Sequence, residues 1–163
     1  MTKLGTAIER LQAAELDFAD ELRKIGERHA AEHDVYHLSH TLAKQCEEHV
    51  RRLAPFAERY GAPRGHEPDE GHAWSGMLES VRHKASELVG RQPTGLVLLN
   101  DLRHLFLGAQ DVGILWVMVA QAAQAKRDGE LLEVCTECHT DTKGQMNWLL
   151  TKIKTAAPQA LTV

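Results

Sequence analysis

The sequence predicts an all-α protein, a four-helix bundle with a helical crossover between the second and third helices of the bundle. Three observations carry this. Apolar residues recur in steps of three and four over stretches long enough for several helical turns. Nothing alternates with period two over enough residues to build a sheet. Finally, two long periodic regions, about 3–60 and 95–154, are separated by a Gly- and Pro-bearing connection too long for a hairpin turn, so the two helical hairpins need not be direct continuations of each other.

The first helix is marked by Leu4, Ile8, Leu11, Glu15, Phe18, Leu22, Ile25 and His29, a bundle seam broken in its apolar character only by Glu15 and His29. Asp34 offers an N-cap for the second helix. Its stripe of Leu38, Leu42, Cys46, His49, Leu53, Phe56 and Tyr60 has a histidine near the middle, and Gly61 supplies a stop. Residues 61–71, GAPRGHEPDEG, read as a loop. A shorter crossover helix is expected from about Asp69 to Leu88, with Trp74, Met77, Leu78, Val81, Ala85 and Leu88 on one face, followed by Gly90 and the break RQPTG, in which Thr94 can cap the next helix.

From about Gly95 to Ala125 the chain is apolar on nearly every side, with VGILWVMVAQAAQA as the extreme segment. Such a helix needs neighbours around it, and the sequence predicts a homodimer through helix 95–125, with the crossover helix contributing. Arg103 and Asp111 interrupt the apolar run, which points away from a membrane span. Asp128 and Gly129 make the next turn, with Asp128 as N-cap of a last helix that extends to about Lys154, and 155–163 read as a tail. The whole is expected to be one domain.

Composition excludes several partners. In 163 residues the net charge is −4 with both signs interleaved, and no basic block is available to follow a row of phosphates. The amino terminus is charged and helix-periodic, without the apolar run of an export signal, and Cys46, Cys135 and Cys138 are too few and too unevenly placed for a secreted disulfide framework. A cytoplasmic protein with free thiols is the expectation.

The polar residues in the seams are the candidate site. Glu15 and His49 are equidistant from a hairpin turn near residue 32, so antiparallel packing puts them at one level on facing helices. An unpartnered buried carboxylate is too costly to persist, so the two either form a hydrogen bond inside the bundle or share a metal ion. Asp111 and Gln145 stand in the same relation to a turn near residue 128, as a weaker echo. Around His29, His33, His37 and His40 the sequence predicts a solvated histidine-rich bend.

Two hairpins, a long helical crossover and Glu15 in the middle of the first helix resemble the ferritin-like superfamily, which includes ferritins, rubrerythrins and carboxylate-bridged di-iron oxidases. That resemblance implies metal ligands projecting into the bundle core. The family's Glu-x-x-His motif is nevertheless missing from both helices that should carry it: Glu48 is followed by Arg51, Glu133 by Thr136 and Glu137 by Thr140. The implied site is therefore reduced, one iron or zinc ion held among Glu15, His49, Asp111 and His139, or no metal at all. The functional expectation is a binding or interaction protein, with a metal-binding redox or storage role as the alternative.

Cys135, Cys138 and His139 form Cys-x-x-Cys-His, the pattern of covalent haem attachment, which also occurs on the last helix of the four-helix cytochromes c′. Here a helical stripe of Leu132, Cys135, His139, Thr142, Met146 and Leu149 accounts for the residues as core packing, and neither haem nor zinc is expected there. No nucleophile and base constellation, phosphate-cradling loop or cofactor fingerprint stands out, so no reaction or small-molecule ligand can be named.

Overall fold

The computed structural model describes residues 2–61 and 94–163. The predicted crossover helix and the loop before it lie outside the described residues. Among these, all regular structure is helical: α1 (Lys3–Arg28), α2 (His33–Arg59), α3 (Gly95–Lys126) and α4 (Gly129–Thr162). The Thr2 hydroxyl accepts from the Gly5 amide at 2.9 Å, Thr94 accepts from Val97, and Asp128 from Leu131, so three of the four helices open on a side-chain cap. α2 differs from expectation. It opens at His33 with Glu32 as an N-cap that makes no side-chain bond, and Asp34 accepts from Val35 within the first turn.

Contacts at the two ends fix the direction of every helix. At one end, the Thr2 amide and hydroxyl both donate to the Tyr60 carbonyl, at 3.3 and 3.0 Å, and the Tyr60 hydroxyl donates to Asp128 at 2.7 Å. The start of α1, the finish of α2 and the α3–α4 turn therefore meet. At the other, Arg28 and His29 reach Asp101 at 3.1 and 2.7 Å, Lys152 pairs with Asp34, and Ala160 packs beside Gly95. Thus α1 and α4 run one way and α2 and α3 the other. α1 packs mainly on α2 and α3 on α4, with α1–α3 and α2–α4 completing the square. The chain leaves α2 at one end and enters α3 at the opposite one, which is the crossover topology of the bundle.

The core follows the seams. All eight α1 positions picked out by periodicity are buried, Glu15 at 0% exposure among them. In the first half of α2 the buried line shifts to Val35, Ser39 and Ala43, leaving Leu38 and Leu42 half-buried. The cause is close packing: a Cβ on Gly26 of α1 would sit 2.9 Å from Ser39 Cβ, and only small residues fit there. α4 rotates similarly. Leu131, Cys138 and Gln145 are buried, while Leu132, His139 and Met146 are half-buried.

One more expectation is corrected. The expected tail continues α4 to Thr162 through Pro158, because alanines favour helix, Ala156 packs on the core, Ala160 meets Gly95, and the Thr162 hydroxyl donates to the Pro158 carbonyl at 2.6 Å. α3 is long and apolar enough by length and composition to cross a membrane despite Arg103 and Asp111. Its inner side, Leu102, Leu105, Val112, Trp116 and Val119, lies in the bundle core, while Leu96, Leu107, Ile114, Val117 and Met118 on its outer side are 44–61% exposed.

Candidate functional site

Where the four helices face one another, a polar cluster occupies the middle of an apolar core. Glu15 and His49 meet as their equal distance from the turn predicts, with His49 Nδ1 2.9 Å from Glu15 Oε1. The pairing goes further than the two of them. Trp116 of α3 donates its indole N–H to the same Oε1 at 2.7 Å, and Asp141 of α4 lies 2.9 Å from His49 Nε2. One residue from each helix thus joins a single chain of hydrogen bonds, and the indole stands edge-on to the imidazole, centroids 5.7 Å apart.

The charge state of His49 follows from this geometry. Its burial works against a charged ring, but the hydrogen bonds the ring donates toward Cys138 and Glu15, with the Glu15 charge, outweigh that, raising the pKa to about 10. At neutral pH the ring is an imidazolium, donating from both nitrogens to two carboxylates. Such a ring has no lone pair left for a metal ion. Burial, reinforced by Glu15, drives the Cys46 thiol well above its ordinary range. The other Glu15 oxygen, Oε2, is buried with no hydrogen-bond partner.

The neighbouring polar residues extend the cluster along the α2–α4 contact. Gln145 donates to Gln45 Oε1 at 2.7 Å and points toward Cys46 Sγ at 3.8 Å. Arg52 forms an ion pair with Glu137 and directs Nη1 at Cys138 Sγ from 3.8 Å. Cys135 and Cys138 are both fully buried on an unbroken helix, and burial pushes the Cys135 thiol up to about 12.

The four residues put forward from sequence as metal ligands separate into two groups. Glu15 and His49 are together. Asp111 is exposed, on the wall of an outer groove of about 260 Å³ between α1 and α3, beside Phe18, Glu21 and His104. His139 is half-buried between α3 and α4, near Gly113, with its pKa lowered by burial and by Lys143. Among the described residues, no three His, Cys, Asp or Glu side chains are grouped to hold a metal ion. The echo between Asp111 and Gln145 is absent too, since Gln145 is buried against α2 and Asp111 faces outward. His29 is not part of a solvated bend; it is 4% exposed and bonded to Asp101, while His33 and His37 stack on the surface.

Periodicity missed Trp116, Asp141, Arg52 and Cys138. Trp116 had a usable signal, since it is the one side chain with a polar hydrogen between Val112 and Ala120 and a buried indole N–H needs an acceptor. Asp141 had none, because its level relative to His49 depends on α2–α4 packing rather than on a hairpin turn.

No protein-family model, curated protein or solved structure matches the chain.

Proposed function

We propose that the protein is a ferritin-like bundle without a complete di-iron site, working as an association module in the cytoplasm and presenting the outer face of α3 to a second copy of itself. The observation that carries this is the row Leu96, Leu107, Ile114, Val117 and Met118, five large apolar side chains on one outward face. From Leu96 to Met118 the row covers about 33 Å of helix at about 1.5 Å per residue. Between Val112 and Ala123 no residue carries a charge, so this half of the face suits an apolar partner, and a copy of itself across a two-fold axis supplies one. The shared direction of α2 and α3, which a crossover connection requires, supports the ferritin-like reading, and the three free thiols suit a reducing compartment.

Sedimentation at micromolar concentration tests the association. A dimer that Ile114→Asp converts to a helical monomer is the expected result. A monomer at every concentration overturns it.

A second reading, one iron or zinc ion bound at Glu15 and His49, draws on the unpartnered Glu15 Oε2. It requires His49 to give up a proton and a hydrogen bond, so the hydrogen-bonded cluster without metal is favoured. Elemental analysis of untagged protein decides: stoichiometric metal abolished by Glu15→Gln establishes the second reading.

A further inference from the structure

The outer face of α3 carries two charges as well as its apolar row, and their positions are ordered. Leu96 and Met118 stand eleven residues to either side of Leu107, Asn100 and Ile114 seven, and Arg103 and Asp111 four. All of them are exposed. At about 100° per residue every one lies within about 40° of Leu107, so together they make one straight stripe down the helix. Neither Arg103 nor Asp111 has an ion-pair partner among the described residues. Counted outward from Leu107, the stripe is therefore symmetric in spacing and opposite in charge.

We propose, resting on association of two copies through the α3 face, that α3 packs antiparallel on the partner's α3 with the two-fold axis passing at Leu107. Leu107 then meets its own copy, and Leu96 meets the partner's Met118. Arg103 meets the partner's Asp111, once on each side of the axis, so both charges on the stripe are answered. Asn100 faces the partner's Ile114, the one pair of unlike polarity. Other arrangements lose the charge pairing. A parallel pair sets Arg103 on Arg103 and Asp111 on Asp111, and like charges in contact oppose association. Sliding the antiparallel register by seven residues brings Arg103 to the partner's Met118 and Asp111 to the partner's Gln110, which leaves both charges without a counter-charge. The apolar row supplies the attraction, and Arg103 and Asp111 select direction and register.

Charge reversal in the full-length chain, read by sedimentation at low ionic strength, tests the register. Arg103→Glu and Asp111→Arg should each weaken self-association by about tenfold or more, because two attractions become two repulsions. An equimolar mixture of the two variants should dimerise as tightly as the unmodified protein, since each introduced charge then faces its opposite. Both positions are exposed, so the fold is kept, which circular dichroism checks. Nitroxide labels on Gln110→Cys and Gln121→Cys, two exposed positions, read the direction by pulsed electron paramagnetic resonance, with the buried Cys46, Cys135 and Cys138 left unlabelled. Along the helices the two copies of position 110 should be about 9 Å apart and those of position 121 about 42 Å, at about 1.5 Å per residue. Reversals that leave the dimer intact, a mixture no tighter than either variant alone, or similar label separations at the two positions overturn the register. Failure of the association itself reads differently, as an unmodified protein that is monomeric or a dimer that Ile114→Asp leaves intact.

Discussion

Glu15 Oε1 accepts from two buried donors on two different helices, His49 and Trp116, and this doubles what its removal costs. Glu15→Leu strands both donors and leaves an imidazolium with one carboxylate, so a loss of about 3–5 kcal/mol is expected in chemical denaturation. Glu15→Gln keeps an acceptor oxygen in place and should cost clearly less. His49 adds a pH dependence whose sign is definite. Its folded pKa of about 10 lies above the ordinary value of 6.5, so its contribution is complete below about pH 6.5 and is lost as pH rises through about 10. Thermal melts between pH 7 and 10 should show falling stability, on the order of a few kcal/mol in all, and His49→Gln should flatten that slope. Half of this site was legible in the sequence. The Glu15–His49 contact follows from two seam positions and one turn, information internal to a hairpin. Asp141 and Cys138 come from the other hairpin, and their height relative to His49 depends on how two hairpins dock, which periodicity does not encode.

At the scale of the helix, seams are easy to find and their exact rotation is not. The α1 stripe holds over its whole length because its neighbours leave room for large side chains. In α2 the close approach of Gly26 to Ser39 selects small residues and moves the buried line one position, against the pull of Leu38 and Leu42. Helix ends show the same division. Thr94 and Asp128 are readable caps, whereas the last turns of α4 depend on Ala160 meeting Gly95, a contact remote in sequence. The α3 C-cap is another case. Arg127, not Gly129, takes the left-handed conformation, at φ 57°. A side chain there is strained by about 1 kcal/mol, so Arg127→Gly should raise stability by up to about that amount in urea melts, less the added freedom of the unfolded chain. Gly5 should behave oppositely. Its missing Cβ would stand 2.5 Å from the Tyr60 carbonyl oxygen, and Gly5→Ala should cost about 1–3 kcal/mol by prising the start of α1 from the finish of α2.

For the molecule as a whole, the consequential fact is that Gly61 and Thr94 lie at opposite ends of the bundle. The Tyr60–Asp128 bond holds one at the α3–α4 turn, and the packing of Gly95 beside Ala160 holds the other at the far end of α4. The span between them is about the length of α2, roughly 40 Å at about 1.5 Å per residue. A chain covers at most about 3.3–3.6 Å per residue, so a linker of about 8 residues reaches less than 30 Å and cannot join the two points within one bundle. Replacing residues 62–93 by about 8 Gly/Ser residues should therefore abolish the monomeric fold or force exchange of hairpins between two chains. A Gly/Ser linker of about 24 residues has ample reach, and with it the four helices should assemble as before, though with whatever stability residues 62–93 contribute removed. Helical circular dichroism, sedimentation and the alkaline loss of stability tied to His49 distinguish these outcomes. A short-linker variant that folds as a monomer with the His49 pH dependence intact would mean that the helices can be connected end to adjacent end, and the assigned directions of α2 and α3 would be wrong.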